Sequence, residues 1–128
     1  MAMKREAVMT DRAPKPIGPY SQAVRCGSLV FTSGQIPVDP GTGRLVSGDI
    51  AQEAEQVFRN LAQVLEAAGT SLDRAVKVTV FLTDLGDFGR VNEVYARQFS
   101  KPFPARSTVQ VAALPAGARV EIEAVAEC

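Results

Sequence analysis

DIAQEAEQVFRNLAQVLEAAGTSLDRAVKVTVFL, residues 49–82, changes its hydrophobic period once, and that change decides the fold. From Ala51 to Ala68, the apolar residues Ala54, Val57, Phe58, Leu61, Val64, Leu65 and Ala68 recur at the i, i+3, i+4, i+7 spacing of one buried helical stripe. Asp49 is placed to cap the start, with Gln52 three residues on, and Gly69 to end the helix in the left-handed conformation. Beyond Gly69 the period falls to two. Val76, Val78, Val80 and Leu82 alternate with Lys77, Thr79 and Phe81, which is strand.

Working outward, Leu85 to Phe99 reads as a second helix, capped by Asp84 and burying Phe88, Val91, Tyr95 and Phe99. A loop with Pro102 and Pro104 leads to two last strands, Ala105 to Val111 and Arg119 to Ala126, joined through Leu114-Pro115-Ala116-Gly117. Upstream, Gly27-Ser28 turns between strands Ser21 to Cys26 and Leu29 to Gly34. Pro37 to Gly43 is a second turn cluster, and the proline-rich Ala13 to Tyr20 is an ordered loop. The order strands, helix, strand, helix, strands predicts the α+β class: one mostly antiparallel sheet of about six strands with both helices on one face. The other face must then be wet or covered by another subunit. No break in composition divides the chain, so 1–128 is expected to be a single domain.

Composition narrows the chemistry. Fourteen Lys+Arg balance fourteen Asp+Glu, which argues against a general nucleic-acid binder. The chain has no histidine, so His-dependent triads and His-zinc sites are excluded. Cys26 and Cys128 lie in no metal-ligand spacing; reduced thiols are favoured, with a disulfide between them left open. Met1 to Thr10 is charged where a secretory signal would be apolar, and no stretch reaches the roughly 18 apolar residues of a membrane span. The expected location is cytoplasmic, with no membrane partner.

Candidate chemistry gathers on the last strands. Arg106, Thr108 and Gln110 share one face of the first, and Arg119, Glu121 and Glu123 one face of the second. With Val109 and Val111 joining Ile122 beneath the helices, Arg106 and Glu121 would sit together on the helix-free face. Pattern alone favours a solvated face with a cross-strand ion pair. Thr32-Ser33-Gly34-Gln35 ends a strand in a hydroxyl- and amide-rich corner, where backbone N–H groups can meet a carboxylate or simply make a tight turn. Gly41-Thr42-Gly43 lacks the GK[ST] of a phosphate loop, and capping explains Asp84, Asp87 and Glu93 better than a cation site does. Neither Cys26 nor Ser33 has a histidine to activate it.

Five segments carry a family resemblance: Ile17-Gly18-Pro19-Tyr20-Ser21-Gln22-Ala23, Thr32-Ser33-Gly34-Gln35-Ile36-Pro37, Asp87-Phe88 with Val91-Asn92, Phe103-Pro104-Ala105-Arg106-Ser107, and Val120-Glu121-Ile122-Glu123-Ala124. Together, from about Ala13 to Ala126, they resemble the reactive-intermediate deaminase (Rid, or YjgF) family. The resemblance implies a fold like the small trimeric chorismate mutases, with three sheets forming a central core and three clefts between subunits. It implies hydrolysis of 2-iminobutanoate or 2-iminopropanoate to the 2-oxoacid and ammonia. Such imines arise from pyridoxal-phosphate-dependent dehydratases and damage other enzymes of that cofactor class.

On this resemblance Arg106 holds the substrate carboxylate and Glu121 activates water. Tyr20 and Phe88 wall the pocket, Asn92 supports it, and Ser33, Gly34 and Thr108 complete the binding set. Pattern does not separate Glu121 from Glu123, which share a face. Thr108 stands where many deaminating members carry cysteine. No metal or cofactor is called for. Three other readings stand beside this one: a non-catalytic module that binds 2-oxoacids or protects proteins, an aminoacrylate deaminase of pyrimidine breakdown, and a ribonuclease or translation inhibitor.

Overall fold

The computed structural model describes residues 3–128. Positions 1 and 2 of the expected domain, and of the charged Met1 to Thr10 segment, lie outside the described residues. The elements run β1 (Arg5–Val8), β2 (Ala23–Cys26), β3 (Leu29–Thr32), β4 (Val38–Asp39), β5 (Arg44–Leu45), α1 (Ile50–Ala67), β6 (Ala75–Leu82), α2 (Phe88–Ala96), β7 (Ala105–Gln110) and β8 (Val120–Glu127). Six strands form one sheet in the order β1-β2-β3-β8-β6-β7, antiparallel except for the parallel pair β6 and β7. The turn cluster at Pro37 to Gly43 closes the small β4–β5 hairpin.

The first helix forms as its sequence requires. Asp49 accepts from the Gln52 N–H at 2.9 Å, and the Gln52 side chain accepts from the Asp49 N–H at 3.0 Å, a reciprocal capping box. Gly69, at φ +88°, lets the chain leave the helix. Val57, Phe58 and Leu61 of α1, with Val91, Val94 and Tyr95 of α2, bury the sheet face made by Val78, Val80, Leu82, Val120, Ile122 and Ala124. Both helices therefore lie on one face.

Three details depart from the sequence reading. Arg5–Val8 forms an edge strand on β2, although only Val8 of its four residues is buried. Val76 is 46 % exposed: the register shifts between Ala75 and Lys77, and Ala75 takes the inward position instead. The second helix is shorter than Leu85 to Phe99, because Leu85–Asp87 is a 3₁₀ turn whose Gly86 N–H donates to Asp84 at 2.8 Å. Cys26 and Cys128 are free thiols, the state the sequence favours.

Two buried amides fix the loops. Gln22 accepts from the Thr10 N–H at 2.7 Å and donates to the carbonyls of Thr10, Ala13 and Pro14 at 3.1, 3.3 and 2.9 Å. It ties down the segment that leads to Tyr20. Asn60 of α1, which accepts from Gln56, donates to the Ile36 and Val38 carbonyls and holds the chain just after Gly34-Gln35. Gln22→Ala strands backbone groups out of water and should cost about 2–4 kcal/mol, read as a lower urea midpoint at unchanged slope.

Candidate active site

One face of α2 makes a cradle. Phe88, Asn92 and Tyr95 follow the i, i+4, i+7 spacing that stacks side chains along a helix. Over them lies Arg106 from β7, the strand at the open edge of the sheet. Its guanidinium carbon stands 5.3 Å from the Phe88 ring centre and 4.6 Å from that of Tyr95. One guanidinium N–H donates to Asn92 Oδ1 at 2.7 Å. Among the described residues four ion pairs form, and none includes Arg106. A cation held by two rings and a neutral amide keeps its charge and most of its donors for a ligand.

Tyr95 is the buried floor of the cradle. Tyr95 packs against Phe99, with ring centres 4.6 Å apart, and edge-on to Phe58 at 5.9 Å. Burial pushes the Tyr95 phenol above its usual pKa, against a smaller downward pull from Arg106, so it stays neutral. The Tyr95 hydroxyl and Thr108 Oγ1 are both buried without a partner among the described residues.

The second group gathers where β3 ends beside β8. Ser33 Oγ donates to the Ser21 carbonyl at 2.6 Å, and the Ser33 N–H to the Gln22 carbonyl at 2.9 Å. Gln35 and Ile122 exchange backbone hydrogen bonds at 2.9 and 3.1 Å. This places Gly34 directly against Glu121, so closely that a Cβ there would overlap the Glu121 carboxylate. Glu121 has its pKa raised, first by burial and then by the charge of Glu123. Tyr20 begins the same corner, just ahead of β2, and is 53 % exposed. Gly34→Ala displaces only the flexible end of Glu121, so the carboxylate should shift while folding survives, read as an unchanged urea midpoint.

The two groups do not meet within one chain, which corrects the expectation that Arg106 and Glu121 share the helix-free face. Arg106, Thr108 and Gln110 pair in parallel register with Val78, Val80 and Leu82, the core-facing side of β6. They therefore point to the helix side. Glu121 and Glu123 pair with Phe81 and Thr79, on the other face. β6 also lies between β7 and β8, so the strands of Arg106 and Glu121 are about 10 Å apart, and no cross-strand ion pair joins them. The physical reason is the edge position of β7. There, only a guanidinium on an aromatic shelf is needed under the helix, while Val109 turns outward and stays 41 % exposed.

Tyr95 is the residue that sequence reasoning counted only as core. Its signal was the spacing that puts it on the same stripe as Phe88 and Asn92.

Residues 10–128 match the endoribonuclease L-PSP family. Protein DfrA of Myxococcus xanthus is 56 % identical over 126 residues, which cover 97 % of this chain and 96 % of that protein. The human 2-iminobutanoate/2-iminopropanoate deaminase is 52 % identical over 122 residues, covering 95 % and 89 %. The crystal structure of RidA from the Antarctic bacterium Psychrobacter sp. PAMC 21119 superposes with a TM-score of 0.92 at 50 % identity, covering 96 % of this chain and 99 % of that one.

Proposed function

The chain belongs to the endoribonuclease L-PSP (Rid/YjgF) family, and on that premise we propose that it hydrolyses short 2-iminoacids, 2-iminobutanoate and 2-iminopropanoate, to 2-oxoacids and ammonia. The observation that carries the reading is the uncompensated Arg106 guanidinium on its α2 cradle. The substrate carboxylate takes the remaining N–H edge in two parallel bonds, which fixes the adjacent C=N carbon. Glu121 accepts a proton from water as its oxygen bonds to that carbon and the C=N π pair moves to nitrogen. The proton returns to nitrogen, giving a carbinolamine; Glu121 then relays the hydroxyl proton to the amine as the C=O forms and the C–N bond breaks, so that nitrogen leaves as ammonia. The imine carbon is already electrophilic, so the step asks for placement of water rather than for a metal, cofactor or covalent nucleophile.

Opposite-face placement gives this chemistry a structural condition: Arg106 comes from one copy and Glu121, with Gly34, Ser33 and Tyr20, from its neighbour. We place the clefts between the subunits of a homotrimer. The helix-free face supports this, because Phe31 is 44 % exposed there and Phe81 and Val109 lie in line on neighbouring strands. A nuclease reading, which the family description names, fits less well with a histidine-free chain of zero net charge.

The test is semicarbazide trapping at neutral pH, with a threonine dehydratase or an amino-acid oxidase generating the imine and the native mass read in parallel. Less semicarbazone in the presence of a trimer is the expected result. Unchanged trapping with several imines overturns the enzyme, and 2-oxoacid binding without turnover would leave the non-catalytic module in its place.

A further inference from the structure

We propose that Tyr95 is a positioning residue whose ring face sets the orientation of the Arg106 guanidinium, and so the strength with which the site holds a carboxylate. The proposal rests on the reading of Arg106 as the carboxylate-binding group. An arginine on an edge strand ordinarily samples many rotamers, and ordering it costs free energy at each binding event. Here the guanidinium stands closer to Tyr95 than to Phe88, 4.6 against 5.3 Å from the ring centres. The Tyr95 ring is itself immobile, since it is 7 % exposed and wedged against Phe99 and Phe58. Asn92 fixes the in-plane rotation by accepting one N–H, and the ring fixes the plane. With plane and rotation set, the free N–H edge is presented in one direction before any ligand arrives.

The Tyr95 hydroxyl takes no part, because it is buried with no partner among the described residues. The device is the π face, which phenylalanine retains and leucine does not.

Binding of 2-oxobutanoate, the product-class carboxylate, to the full-length protein provides the test. Tyr95→Phe should bind within about twofold of wild type, and Tyr95→Leu about five- to tenfold more weakly, the change one cation–π contact supplies. Leu65→Ala removes comparable core packing in the other buried cluster, away from Tyr95 and Arg106, and should bind as wild type. In an Arg106→Ala background, Tyr95→Leu should weaken binding no further, which a merely structural role would not produce. The Arg106 Nε–Hε resonance should lose its ring-current shift in Tyr95→Leu and keep it in Tyr95→Phe. Should Tyr95→Leu fail to fold, a series of fluorinated phenylalanines at position 95 holds shape constant while draining the π face, and affinity should fall along it. Wild-type binding by Tyr95→Leu, or a flat fluorinated series, beside a crippled Arg106→Ala overturns the role of Tyr95 alone. Wild-type binding by Arg106→Ala overturns the carboxylate reading beneath it.

Discussion

Arg106→Ala is expected to lower kcat/KM for 2-iminobutanoate about a thousandfold while leaving the fold and the native mass intact. Two hydrogen bonds from a charged donor to a carboxylate are worth about 1.5–3 kcal/mol each, and about 4 kcal/mol in all corresponds to three orders of magnitude. Stability should barely move, because Arg106 forms no ion pair among the described residues and sits on the exposed edge strand. Its removal gives up only the contacts with Phe88, Asn92 and Tyr95. Arg106→Lys separates charge from geometry. It restores a cation but not the planar fork, so it should recover part of KM and little of kcat. The trapping assay with both variants, beside native mass and a thermal melt, decides the matter. A kcat/KM within tenfold of wild type for Arg106→Ala would remove the guanidinium from the mechanism.

Why the sequence placed this arginine on the wrong face is instructive. The helix at Ile50–Ala67 was legible to its caps, because its stripe, its Asp49–Gln52 box and its Gly69 stop are all local signals. The face of β7 was not, because ARSTVQ carries one strongly apolar residue and its alternation fits either orientation. What fixes it is the register with β6, a long-range fact in which Arg106 falls beside Val78. The same limit hid β1, whose REAV carries no strand periodicity and pairs because β2 offers it an edge. It also hid the exposure of Val76, which a single shift in register produces. The family motifs thus name the candidate residues, Tyr95 excepted, while their division into two groups on opposite faces is written in no motif. That division is what makes a neighbouring copy a requirement of the proposed chemistry rather than an embellishment.

Glu121→Gln should nearly abolish turnover and, where no arginine faces it, make the protein more stable at neutral pH, and the two effects have one cause. Burial and the neighbouring Glu123 raise the Glu121 pKa above that of an ordinary glutamate. A carboxylate whose folded pKa exceeds its unfolded value favours folding while protonated and loses that contribution as pH rises through the raised pKa. Ionised at neutral pH, Glu121 therefore opposes folding, and glutamine, the same shape without the charge, relieves it. In the Arg106→Ala background, where no guanidinium faces the carboxylate, the thermal midpoint of Glu121→Gln should exceed that of its parent at pH 7 and converge with it under acid conditions, where both side chains are neutral. Activity runs the other way. The raised pKa makes the carboxylate a stronger base for the water proton, and losing a positioned base costs about 10²–10⁴-fold. The acid limb of kcat should lie above the ordinary glutamate range and vanish in the variant. Arg106 of a neighbouring copy would pull this pKa down in the empty cleft. Once a substrate carboxylate neutralises that guanidinium, burial and Glu123 again dominate, so the limb in kcat should lie higher than the limb in kcat/KM. Glu123→Gln separates the two acids that share the face: by removing a like charge it should shift the limb downward and leave the plateau rate in place. If Glu123→Gln abolished turnover instead while Glu121→Gln kept it, the water would belong to Glu123.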